Sequence, residues 1–113
     1  MTTDKFRALA LSFPDAVESS HMSHPDFRIK GRIFATLGYP DDQHGMVKLT
    51  VSQQKRFTKE APGAFAPCSG KWGQRGATSV LLRLAKTPIV RAAIKLAYCN
   101  IAPGPLIRRR GGV

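Results

Sequence analysis

Phe6, Leu9, Ala10 and Phe13 recur at helical spacing, with Lys5 and Arg7 among the positions between them, and predict an amphipathic helix over residues 3–13. Thr2 or Thr3 is placed to cap it, and Pro14 stops it. The hydrophobic period then changes to two. Residues 17–23 hold no breaker and predict a weak strand at a sheet edge. Phe27 and Ile29 alternate with Arg28 and Lys30, and Ile33, Ala35 and Leu37 alternate with Arg32, Phe34 and Thr36. Gly31 suits a tight turn between these two runs, because glycine adopts positive φ without a steric penalty. Residues 38–45 carry Pro40, Asp41 and Asp42 and read as a loop. Val47, Leu49 and Val51 alternate with Met46, Lys48 and Thr50, giving a further strand.

A short surface helix is expected over residues 53–61, capped by Ser52, anchored by Phe57 and ended by Pro62 and Gly63. Phe65 and Ala66 suggest a short strand, and residues 77–84 a longer one with Thr78, Val80 and Leu82 on one face. Thr87 and Pro88 open the last helix, whose apolar stripe is Ile89, Val90, Ala93, Ile94, Ala97 and Ile101. Pro103, Gly104 and Pro105 end it. The order α-β-β-β-β-α-β-β-α predicts a two-layer α+β fold: an antiparallel sheet with the N- and C-terminal helices on one face.

With 113 residues and 42% hydrophobic content, the chain suits one globular domain with a core of its own. We assign that domain to residues 1–104 and a basic mobile tail, including Arg108, Arg109 and Arg110, to residues 105–113. No apolar run reaches the ~18 residues a membrane helix needs. The N-terminus shows no basic segment followed by an apolar one, so no signal peptide is expected and the protein is placed in the cytoplasm. Cys68 and Cys99 are expected to be reduced thiols there. The net charge of +11 is unevenly spread. Residues 1–42 hold six acids and five bases, whereas residues 43–113 hold thirteen bases and Glu60 as their one acid. Such an excess steers a protein toward polyanions, nucleic acid foremost.

Three segments carry a family resemblance. They are residues 24–37, from His24 through Gly31 to Leu37; the run Gly45, Met46, Val47, Lys48, Leu49; and residues 71–80, which open on Lys71, Trp72 and Gly73. Together with Ala97 and Tyr98 in the closing helix, they resemble the MmcQ/YjbR family over roughly residues 3–102. The resemblance implies a fold similar to the bacterial frataxin homologue and to type III secretion chaperones. It also implies a double-wing motif of the kind described as DNA-binding, a label that rests on shape. Some members read asparagine-lysine near a histidine-tryptophan pair. This chain has Gly70, Lys71, Trp72 and Gly73 without that histidine, so no role of the histidine is carried over.

The candidate nucleic-acid contacts are Arg28, Lys30 and Arg32 around the hairpin turn, Lys71, Trp72 and Arg75 in the glycine-rich segment, and Arg83. The cations would meet phosphates, Trp72 would stack on a base, and backbone N–H groups of residues 70–76 would hold a phosphate. Against this stand plain alternatives: a solvated strand face, and a tryptophan packing the edge of the core. His21, His24 and His44 form no zinc pattern, and positions 21 and 24 of one continuous strand face opposite ways. Frataxin-like iron binding needs an acidic first helix, and here that helix offers Asp4, with Asp15 and Glu18 following. Cys68 lies near Lys71 and Arg75, which would favour its thiolate, but no base partners it. The expectation is therefore a protein that is not an enzyme and carries no metal or cofactor. It would bind nucleic acid weakly and without strong sequence preference or, alternatively, dock an acidic protein partner as an adaptor or chaperone-like module, with no membrane involved.

Overall fold

Thr2 supplies the first cap: its side chain accepts a hydrogen bond from the Lys5 amide at 3.1 Å, and helix α1 runs Thr3–Leu11. α1 buries Phe6, Leu9 and Ala10, as its spacing requires. The computed structural model describes residues 1–102, so the expected tail 105–113 lies outside the described residues.

Six antiparallel strands follow: β1 (Val17–His21), β2 (His24–Ile29), β3 (Arg32–Leu37), β4 (His44–Lys48), β5 (Phe65–Pro67) and β6 (Ala77–Leu81). They form one open sheet in the order β1-β2-β3-β4-β6-β5, with β1 at an edge. Helices α2 (Val51–Glu60), α3 (Gly70–Gln74) and α4 (Thr87–Ile101) complete an α+β fold. One core joins Phe6 and Leu9 of α1 and Val90, Ile94 and Tyr98 of α4 to Phe27, Ile29, Ala35, Val47 and Val80 of the sheet. The N- and C-terminal helices thus cover the same face. No described helix is long and apolar enough to cross a membrane.

The structure differs from the sequence reading at six places, each with a physical cause. The strand expected to run through Leu49 and Val51 stops at Lys48, because Thr50 caps α2 and Val51 is its first residue. A β-bulge at Phe27 and Arg28 leaves Phe34 without a cross-strand partner and breaks the alternation of β3. Phe34 therefore turns into the helix-side core, fully buried and edge-on to Tyr98 at 5.6 Å. Residues 17–23 are not one strand: Met22 and Ser23 both take positive φ and form a tight turn, so that His21 and His24 become cross-strand partners. α2 is capped by Thr50 and not by Ser52, through a reciprocal capping box with Gln53. β6 ends at Leu81, because residues Leu82–Leu84 tighten into a 3-10 turn that still buries Leu82. The glycine-rich segment is not a loop but the short helix α3.

Candidate functional site

The sheet face opposite the main core is partly open. Pairing of Asp26 with Thr36, Thr36 with Met46 and Met46 with Ser79 lines these residues up across β2, β3, β4 and β6. Strand alternation adds Arg28 and Lys48 to the same face. Met46, Cys68 and Ala77 form a small apolar cluster separate from the main core. α3 is fastened next to it. The buried Gln54 amide of α2 donates to the carbonyls of Gly73 and Ala77, both at 2.9 Å. A Cβ on Gly73 would lie 1.6 Å from the Cys68 carbonyl oxygen, so only glycine lets the two segments meet.

This anchoring sets Trp72, 36% exposed, between two recesses. One, of about 210 Å³, is lined by Lys48, Leu49, Trp72, Arg75 and Ala77. The other, of about 300 Å³, is lined by His21, Met22, His24, Thr36, Tyr39 and Trp72. Its rings form an edge-to-face chain. His24 lies 6.5 Å from His21 and 6.3 Å from Tyr39, and Tyr39 lies 5.9 Å from Trp72. Thr36 is 2% exposed, and its hydroxyl is the one buried side-chain polar atom among the described residues without a hydrogen-bond partner.

Beside this recess lies an ion cluster on a fully buried carboxylate. Arg28 donates to Oδ1 of Asp26 at 2.7 Å and to Oδ2 at 3.0 Å, and His21 Nδ1 lies 2.8 Å from that same Oδ2. The Arg28 guanidinium, and after it His21, holds the Asp26 carboxyl below the usual carboxylate range, with burial opposing. An ionised carboxylate only accepts, so His21 Nδ1 donates to it.

These contacts sort the candidates named from sequence. Trp72 and Arg75 line one recess, joined by Lys48, and Lys71 is exposed next to Trp72 on α3. Lys30 and Arg32 are exposed at the β2–β3 turn, where Lys30 and Gly31 both take positive φ. Arg28 is committed to Asp26. Arg83 stands apart, beside Met1, Thr3, Asp42 and Gln43. The ion pairs among the described residues engage Arg7, Arg28 and Arg56 and leave Lys30, Arg32, Lys48, Lys71 and Arg75 without a carboxylate partner. The amides of Arg75 and Gly76 are spent inside the α3 turn, on Lys71, Trp72 and Gly73 carbonyls, so they do not form the phosphate-holding loop expected from the glycines. Burial pushes the Cys68 thiol up to about 11, the opposite of the activation its basic neighbours suggested. Among the described residues no three His, Cys, Asp or Glu side chains gather as a metal site. Sequence reasoning passed over Thr36, Tyr39 and Lys48, and it separated His21 from His24. An Asn-Gly pair would have signalled the first turn, but Met22 and Ser23 occupy it.

No curated protein matches the chain. The crystal structure of Deinococcus radiodurans protein DR2400, with the family-model domain DUF419, superposes with a TM-score of 0.75 at 16% identity. The match covers 99% of this chain and 88% of that one, and it shows a shared fold. The family model named YjbR matches residues 11–100, which spans the sheet, the Trp72 helix and nearly all of α4, and the chain therefore belongs to the YjbR family.

Proposed function

We propose that this protein binds nucleic acid, weakly and without strong sequence preference, on the open face of its sheet. The observation that carries the reading is the basic recess in which Lys48 and Arg75 flank the exposed ring of Trp72. Cations free of carboxylates suit a phosphate track, and an exposed indole suits base stacking. Lys71, Lys30 and Arg32 extend the charge to either side. Arg28, by contrast, acts as a structural clamp on Asp26.

The test is fluorescence anisotropy of labelled single-stranded and duplex DNA across a salt series. Five phosphate contacts, from Lys30, Arg32, Lys48, Lys71 and Arg75, set a limiting log–log slope of about −3.5 on a single strand. Removing Lys48 and Arg75 together should weaken binding and make the slope shallower by about 1.4. No binding at low salt, or binding that salt does not weaken, refutes the proposal. A discrete complex with one acidic polypeptide would then favour the adaptor reading.

A further inference from the structure

The second recess shares Trp72 with the basic one but none of its cations. Its walls are the rings of His21, His24, Tyr39 and Trp72 and the exposed Met22 thioether. Thr36 lines it as well, and the Thr36 hydroxyl is the one buried side-chain polar atom among the described residues without a hydrogen-bond partner, so a ligand reaches it by a small shift of the recess wall. A buried hydroxyl without a partner costs free energy, and the cost is recovered when a ligand supplies the missing hydrogen bond. A volume of about 300 Å³ lies at the small end of ligand sites and has room for a flat heterocycle. The ring walls select an aromatic ligand, and Thr36 requires that it carry polar edge atoms. The unpaired cations of Lys48 and Arg75 across Trp72 favour a ligand with a phosphate attached.

We infer that this recess is a socket for a single unpaired nucleobase, with Thr36 hydrogen-bonding the base edge and the adjoining phosphate seated against Lys48 and Arg75. The inference rests on the nucleic-acid reading for the strand but not for the socket itself, which an uncharged nucleoside is able to fill. It gives that reading a direction. A base inside a duplex is unavailable to the recess, so single strands and flipped-out bases are preferred over paired DNA.

Trp72 is the chain's one tryptophan, and its indole N–H resonance reports the recess directly in a proton–nitrogen NMR spectrum. Adenosine, guanosine, cytidine and thymidine would be titrated in turn, followed by single-stranded and duplex oligonucleotides of matched sequence. The expected result is a saturable shift of the indole resonance with at least one nucleoside, and tighter binding of the single strand than of the duplex. Tyr39→Ala should weaken nucleoside binding at least about fivefold, the low end for lost stacking on one base. Thr36→Val separates a ligand contact from a structural one. It should weaken nucleoside binding about three- to tenfold while leaving the free protein as stable as before or more so, because it removes an unsatisfied buried hydroxyl. An indole resonance unmoved by all four nucleosides overturns the socket, as does unchanged nucleoside binding in Thr36→Val. If strand and duplex then bind alike and respond to salt, the basic face stands without the socket. Nucleoside binding without any strand binding upholds the socket and refutes the nucleic-acid reading.

Discussion

Gly73→Ala sets two local effects against each other, and their magnitudes decide the sign. Gly73 lies inside α3, where alanine is the better helix former by about 1 kcal/mol, so propensity alone expects a more stable protein. Packing points the other way. The new Cβ would sit 1.6 Å from the Cys68 carbonyl oxygen and 2.5 Å from its carbonyl carbon, both backbone atoms with no rotamer to change. Ordinary contact needs the segments to part by about 2 Å. That movement pulls the Gly73 carbonyl from the buried Gln54 amide, which costs about 1–3 kcal/mol, and opens the packing of Met46, Cys68 and Ala77, for about 1–3 kcal/mol more. The net loss is about 3 kcal/mol, a large part of a small domain's stability. Gly70→Ala is the control. It lies in the same segment with φ at +74° and nothing within 4 Å of its Cβ, so it costs only backbone strain of about 1–2 kcal/mol. Urea unfolding followed by Trp72 fluorescence measures both. If Gly73→Ala unfolds at or above the midpoint of Gly70→Ala, the packing account of this glycine is wrong.

Other substitutions test the frame around the site. Tyr98→Phe removes the hydroxyl that donates to the Pro14 carbonyl at 2.9 Å, and should cost about 1 kcal/mol, seen as a fall of about 4–8 °C in Tm. Phe34→Ala should cost about 3–5 kcal/mol by denaturant titration, as for a core aromatic; a loss below 1 kcal/mol would place this ring outside the core. Asp26→Asn should destabilise by about 1–3 kcal/mol near neutral pH through its weakened hold on Arg28 and His21. The folded carboxyl ionises below its unfolded value of about 3.9, so its contribution is complete above that pH and is lost as pH falls through it and beyond. Thermal unfolding from pH 7 into the acid range should therefore show a steeper loss in the wild type than in Asp26→Asn, and parallel curves would refute the assignment.

The fold was legible where one signal acted alone. The α1 and α4 stripes, the Lys30–Gly31 turn and the outer position of β1 are each written in local periodicity or turn chemistry. Legibility failed where a tertiary contact overrode the local rule. Phe34 looks like an outward strand residue because a bulge leaves no mark on a period-two pattern. The glycines of residues 70–76 look like a flexible anion loop, since composition does not distinguish a glycine that frees the backbone from one that admits a neighbour. Gly76 is both kinds at once: its φ is +115°, and its Cβ would meet the Leu49 carbonyl oxygen at 2.0 Å. The candidate cations were visible as residues, but their state of pairing was not. Asp26 stands two positions from Arg28 on the same strand face, and whether the two meet depends on a rotamer that the sequence does not specify.

The two faces of this sheet follow different rules, and the difference locates the functional surface. Toward α1 and α4 the strands present Phe27, Ile29, Ala35, Val47 and Val80, a face that apolar burial alone explains. Toward α3 the same strands present Asp26, Arg28, Thr36 and Lys48. A carboxylate with no exposure and an orphaned hydroxyl are costly in the middle of a sheet. Neither group is needed to close the main core, because both point away from it. Asp26 has a structural account: it clamps Arg28 and fixes the His21 ring at the mouth of the aromatic recess. Thr36 has no such account within the free protein, and a ligand that completes its hydrogen bond supplies one.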